Sequence, residues 1–374
     1  MKNTLELTAA LRHPQAIQAM ASAIGTAATM LETPLHIMEI CGGHTHSIMK
    51  YGIDTLMPEN IRFVHGPGCP VCVLPKVRVD HAICMATQPD TILVCLGDMM
   101  RVPGSGGQSL QHVRANGADV RFVYSPLDVL PIAAENPGKT VVFFAIGFET
   151  TTPTTASLLH TVQANNLSNI VFHINHVMVP PAVTALLQSG SSSVNAFIVP
   201  GHVSAISGWK PYEKLAEEHQ VPFVVSGFEP VDILAAVRTI VTQSLEKKPA
   251  AHNDYRRVVS YEGNSRAREL VDLYFEPRST FPWRGLGDIP ASALQLRERF
   301  RHLDAEILFQ SVLPENSSDD HRNCLCGAIL RGVALPGQCQ LFGRQCTPSN
   351  PQGSCMVSSE GACAAYYKYR GEAL

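Results

Sequence analysis

Cysteine is missing from the middle of this chain: none of its eleven falls between Cys95 and Cys324. Charge is scarce as well. Asp, Glu, Lys and Arg make up 16% of 374 residues, and the net charge is −3. No basic stripe exists to neutralise phosphates, which argues against nucleic acid as the main partner. No apolar run reaches the roughly 18 residues needed to cross a bilayer. Met1 to Glu6 lack the basic start and apolar run of a secretory signal. The expected location is therefore the cytoplasm. Thiols are kept reduced there, so clustered cysteines are expected as metal ligands or redox groups rather than structural disulfides. Two motifs are also absent. No Gly-Lys-Ser/Thr follows a glycine turn, so there is no P-loop. The two close cysteine pairs typical of structural zinc are missing from the tail.

What is present is a weakly charged globular chain, long enough for two or three domains that each bury a core. From residue 35 to about 245, near-continuous apolar runs alternate with helix-length segments. His36–Ile40, Ile61–His65, Thr91–Leu96, Val120–Tyr124, Val141–Ile146, Ile170–Ile174, Ala196–Val199 and Phe223–Val225 read as parallel strands covered on both faces. Val77–Thr87, Thr154–Ala164 and Val231–Ser244 read as helices between them. The fold class is α/β. The rhythm predicts two parallel-sheet α/β domains, over 35–136 and 137–248, with Pro137-Gly138 as a hinge or a simple loop. Residues 1–34 carry a helical pattern through Ile17–Leu31, expected to pack on another domain. Residues 249–374 lose the rhythm and are expected to form a smaller, loop-rich domain. Such a segment builds little apolar core, so its six cysteines are the candidates to staple it.

Chemistry-bearing residues gather just after strand ends, where open α/β sheets bind ligands. Cys41-Gly42-Gly43-His44-Thr45-His46 offers a thiolate and imidazoles for a transition metal, or else a turn whose histidines bond carbonyls. Its position before a helix predicts an exposed, activated Cys41. Cys69-Pro70-Val71-Cys72, after Gly66-Pro67-Gly68, has the form of a thiol–disulfide pair, or half of a metal site. Gly147-Phe148-Glu149-Thr150-Thr151 brings a carboxylate and hydroxyls that suit a polar ligand or an elaborate N-cap. Gly-Phe-Glu recurs at 227–229, and Pro200-Gly201-His202 occupies a similar place. Cys84 and Cys95 lie in apolar runs and read as core. In the tail, Cys324, Cys326, Cys339, Cys346, Cys355 and Cys363 have wide spacings that suit a cuboidal iron–sulfur cluster. Zinc and unligated thiols remain open alternatives, and spacing alone does not pick four ligands from six.

Together the motifs at 41–46, 66–72, 147–151 and 200–204, with Cys-Met-Val-Ser-Ser-Glu-Gly-Ala-Cys at 355–363, resemble the HypD family of nickel–iron hydrogenase maturation proteins. The resemblance covers nearly the whole chain. It implies two α/β domains plus a [4Fe–4S] domain, and a role in building the Fe(CN)2CO unit of the hydrogenase. It implies an assembly scaffold with internal redox chemistry rather than a conventional turnover enzyme. Its implied partners are a small HypC-type chaperone that shares the iron and a HypE-type cyanide donor. Carried over by motif, Cys41 is the iron-binding thiolate, supported by His44, and Cys69 with Cys72 is the redox pair. Cys326, Cys339, Cys346 and Cys363 are the implied cluster ligands, with Glu360 nearby and Cys324 and Cys355 as further candidates. The competing reading is a freestanding thiol–disulfide oxidoreductase that uses Cys69 and Cys72 alone.

Overall fold

A computed structural model of the chain describes residues 2–190, 193–318 and 320–371, with side chains from residue 6. It is α/β, with two parallel sheets. The first has five strands in the order β2-β1-β7-β8-β9: β1 is Leu35–Glu39, β2 Ile61–His65, β7 Ala196–Pro200, β8 Phe223–Ser226 and β9 Ala251–Asn253. The second has four in the order β4-β3-β5-β6: β3 is Thr91–Leu96, β4 Val120–Val123, β5 Thr140–Gly147 and β6 Ile170–His176. All eight expected strands form within two residues of their expected ends, because each is a short, mostly apolar run; the inner strands are covered on both faces, while the edge strands β2 and β4 expose Arg62 and Phe122. Every residue of β6, β7 and β8, for instance, is buried.

The sheets do not divide at residue 136/137 as the linear rhythm suggested. The chain lays down β1 and β2, crosses to build the whole second sheet, and returns to complete the first with β7 to β9. The register joins the distant strands directly, Ile37 beside Ala196 and Leu35 beside Ile61. Apolar strand runs look alike whichever sheet they enter, so sequence order alone does not show the crossing.

The flanking segments follow the cores available to them. Helix Pro14–Ala28 packs on helix Pro230–Glu246 beside the first sheet, burying Ile24 and Ala28 in the core that holds Ile37, Ile198 and Val237. Residues 249–374 are not one block. Helix Ser265–Tyr274 packs on helix Thr152–Ala164, and Phe275, Leu294 and Leu303 join the core of β5 and β6. Only the last stretch stays loop-rich. Its closing helix, Ala362–Arg370, lies against helix Gly42–Tyr51. No described helix is long and apolar enough to cross a membrane.

Candidate functional site

Cys41 is the N-cap of helix Gly42–Tyr51, its Sγ accepting the Gly43 N–H at 3.3 Å. Position alone favours thiolate there. Burial wins instead: Cys41 is only 3% exposed, and desolvation, reinforced by the Glu360 carboxyl, pushes its thiol well above the usual range. The expected exposed, activated thiol is thus a buried, protonated one.

The polypeptide around it is fixed by a polar network inside the sheet. Glu39 Oε2 accepts the Cys41 N–H at 3.1 Å, while its Oε1 accepts from the Thr45 hydroxyl and pairs with His65 Nδ1 at 2.6 Å. His65 Nε2 lies 3.2 Å from the Tyr366 hydroxyl on the closing helix. His44 turns away from the sulfur. Its Nε2–H donates to the Gly227 carbonyl at 2.9 Å and its ring stacks on Phe228. The imidazole beside the thiol is His202, whose ring nitrogens lie 3.8 and 3.9 Å from Cys41 Sγ.

The Cys69–Cys72 turn abuts Cys41 through glycine. A Cβ on Gly68 would sit 2.3 Å from the Cys41 nitrogen, so only hydrogen fits, and the Gly42 N–H donates to the Gly68 carbonyl at 3.3 Å. Cys69 and Cys72 form a disulfide, with Cys69 capping the short helix Pro70–Val73. Both sulfurs are buried, at 3% and 0% exposure.

Ser354 then joins this turn to the tail cysteines. Its hydroxyl donates to the Cys72 carbonyl at 3.0 Å and lies 3.7 Å from Cys326 Sγ. Its own carbonyl is 3.9 Å from Cys72 Sγ. Around it five of the six tail cysteines are buried and Cys324 half-buried. Burial raises the Cys363 thiol, as do the nearby thiols of Cys326, Cys346, Cys324 and Cys339. Cys326 moves the other way, drawn down by the hydrogen bond from Cys355, with help from the Arg284 guanidinium. Among the described residues no three His, Cys, Asp or Glu side chains are already arranged around a metal position. The donor chemistry nonetheless suits an iron–sulfur cluster: six neighbouring sulfurs, mostly dry, in a segment with little other core.

The strand-end motifs at 66–72, 147–151 and 200–202 share one cleft of about 400 Å³, lined among others by Gly68, Asp98, Tyr124, Phe148, His202 and Glu360. It lies between the carboxyl ends of β3, β4 and β5 on one side and β7 on the other. Its floor is pinned by the Ser358 hydroxyl, which donates to Asp98 at 2.6 Å. Glu149 points elsewhere and serves as a helix cap, its Oε1 accepting the Val179 N–H at 2.9 Å. Cys95 is a core residue, as expected, and packs on Met100; Cys84, also expected in the core, is only half-buried, its Sγ donating to the Val312 carbonyl.

The Glu149 cap carries a pH prediction. Its Oε2 is cut off from solvent with no donor among the described residues, and desolvation raises the carboxyl to about 7. A folded-state value above the unfolded one stabilises the fold below about pH 4.5 and loses that contribution as pH rises through 7. Glu149→Gln removes the ionisation. Urea unfolding at pH 5 and pH 8 should therefore show the variant gaining about 2–3 kcal/mol on wild type over that interval. A constant difference would rule out the buried carboxyl.

A family model named HypD and described as "Hydrogenase formation hypA family" matches residues 15–370. The chain belongs to the HypD family. It is 51% identical to hydrogenase maturation factor HypD2 of Bradyrhizobium diazoefficiens over 342 residues, 90% of each chain. It is 50% identical to HypD of Rhizobium leguminosarum, covering 89% of this chain and 88% of that one. For HypD of Escherichia coli the identity is 47%, over 91% and 90%. Among solved structures, the ligand-free, open form of CD0873, a substrate binding protein with adhesive properties from Clostridium difficile, matches at a TM-score of 0.15. It is 14% identical, over 64% of this chain and 95% of that one.

Within this HypD-family chain the structure brings Cys41, Cys69, Cys72 and Cys326 into one connected site and leaves His44 to one side. Sequence reasoning missed Glu39, His202 as the thiol's neighbour, Ser354 and Arg284. One signal was visible. Glu39 is the lone acid in the apolar run Leu35-His36-Ile37-Met38-Glu39-Ile40, and a carboxyl buried in a strand needs partners.

Proposed function

We propose that this chain matures a nickel–iron hydrogenase by assembling its Fe(CN)2CO unit. In this reading Cys41 is the thiolate that receives the iron and Cys69 with Cys72 is a redox pair beside it. Cys326, Cys339, Cys346 and Cys363 hold a [4Fe–4S] cluster, with Cys324 and Cys355 as the remaining candidates for its ligand positions. A HypC-type small protein shares the iron and a HypE-type protein donates the cyanide. The observation that supports this most is the packing of three distant cysteine segments into one site, with Gly68 against Cys41 and Ser354 between Cys72 and Cys326.

The residues present suit these roles. Iron carrying cyanide and carbonyl prefers soft thiolate ligation. A buried thiol held protonated stays inert until a cation arrives, and metal binding then releases its proton. His202, 3.8 Å from Cys41 Sγ, is within reach of that proton, although burial lowers its basicity. Opening the Cys69–Cys72 bond takes two electrons and two protons and leaves two thiols next to the iron site. A bound cluster supplies single electrons, and the tail cysteines would hold it one serine away from that bond.

The freestanding oxidoreductase reading fares worse. Thiol–disulfide exchange needs an accessible sulfur, and Cys69 and Cys72 are both buried.

The test is complementation. In a bacterium deleted for its own HypD-family gene, expression of this chain should restore hydrogenase activity. Unprocessed, inactive hydrogenase despite good expression of the chain would defeat the proposal.

A further inference from the structure

We propose that Arg284 is the charge-positioning residue of the C-terminal sulfur group: a buried guanidinium that holds the redox turn against the tail cysteines and favours an added electron there. This rests on the cluster reading above and goes beyond it by naming the residue that sets the cluster's potential.

The geometry is specific. Arg284 sits at the tip of the hairpin formed by Thr280–Trp283 and Gly287–Pro290, and is 5% exposed. Its backbone N–H donates to the Val73 carbonyl at 2.8 Å, and its Nε donates to the Leu74 carbonyl at 3.0 Å. Those are the two residues that follow Cys72. On the other side the hairpin tip meets the backbone next to Cys326. A Cβ on Gly285 would lie 2.4 Å from Gly327 Cα, and the Arg331 guanidinium donates to the Gly285 carbonyl. Gly285, at φ +79°, is the residue that permits both the turn and this approach. The Arg284-Gly285 tip therefore bridges the disulfide turn, through Arg284, and helix Cys326–Leu330, through Gly285 on Gly327.

Its charge is under-compensated. Nη1 is 3.7 Å from the partly exposed Asp320, which also pairs with Lys76 at 3.2 Å. Nη2 is buried and has no hydrogen-bond partner among the described residues. A buried cation with an orphaned donor is costly unless a negative group faces it. The sulfur group is the candidate for that role: the hairpin tip packs Gly285 on Gly327, the neighbour of Cys326, while Nε is held at Leu74, two residues past Cys72. A thiolate-ligated cluster gains one further negative charge on one-electron reduction, and a fixed cation beside it stabilises the reduced form.

The experiment compares wild type, Arg284→Gln and Arg284→Lys as full chains, reconstituted anaerobically with iron and sulfide. Iron per chain is measured first, then the midpoint potential by dithionite titration followed by electron paramagnetic resonance. Gln removes the charge but keeps a donor for Leu74, whereas Lys keeps the charge. Wild type and Lys should lie close together. Gln should disfavour reduction at least tenfold, a downward shift of about 59 mV for a one-electron couple. If Gln takes up no iron while Lys does, the requirement for charge is again supported. An unshifted Gln variant overturns the inference, as does a Lys variant that shifts or loses iron as much as Gln does. A wild type that binds no iron and sulfide overturns the cluster reading itself, and the control shows this before any variant is compared.

Discussion

Replacing Cys41 with serine should leave the chain folded and hydrogenase maturation at background. The two halves of that expectation have separate physical causes. Serine is a good N-cap, and its hydroxyl can accept the Gly43 N–H that Cys41 Sγ accepts at 3.3 Å. The Glu39 contact uses the Cys41 backbone N–H and survives the change. Unfolding free energy should therefore move by no more than about 1 kcal/mol. Function should not survive, because a hydroxyl is a hard, weakly acidic ligand where a low-spin iron wants thiolate. The loss should exceed the 10–100-fold typical of changes around a metal's ligands, since the ligand itself is gone. Hydrogenase activity of the complemented strain, beside a denaturation curve of the purified variant, separates the two effects. Appreciable maturation by a folded Cys41→Ser chain would remove the iron-ligand role.

The second large effect is expected at Cys326. It touches Ser354, takes a hydrogen bond from Cys355, and feels Arg284, so it stands where the tail cysteines meet the disulfide turn. Cys326→Ser should lower iron and sulfide to well under half of the wild-type content. It should weaken maturation even though Cys41, Cys69 and Cys72 are untouched. Cys84→Ser is the control. Its sulfur bonds only the Val312 carbonyl in a different part of the fold, and iron and sulfide should stay at wild-type content. Equal metal content in both variants would take Cys326 out of the ligand set.

Much of this was legible in the sequence, for a definite reason. A strand buried on both faces must be largely apolar, and the signature of short apolar runs placed all eight expected strands, including the half-exposed edge strands β2 and β4. It missed β9, Ala251–Asn253, whose three residues include His and Asn and are too few to show a run. It also gave no warning that β1 and β7 pair, because which strands become neighbours depends on which long crossing the chain takes. At the site, the cysteine motifs announced themselves by spacing and by glycine. Their states did not. The protonation of Cys41 is set by burial under segments far away in sequence, Glu360 among them, and that outweighed the helix-end argument. His44 was expected as the supporting imidazole because the family resemblance carries that role to it. The helix turns it toward Gly227, and His202 arrives from another strand end. Ser354 and Arg284 had no motif at all. A serine and an arginine become informative only once packing shows what lies on either side of them.

The most direct measurement is elemental: iron, acid-labile sulfide and zinc per chain in wild-type protein purified without oxygen. About four iron and about four sulfide is the predicted result, since five of the six clustered thiols are buried in a segment with little other core. About one zinc with no sulfide, or no metal in a folded chain, would contradict the account.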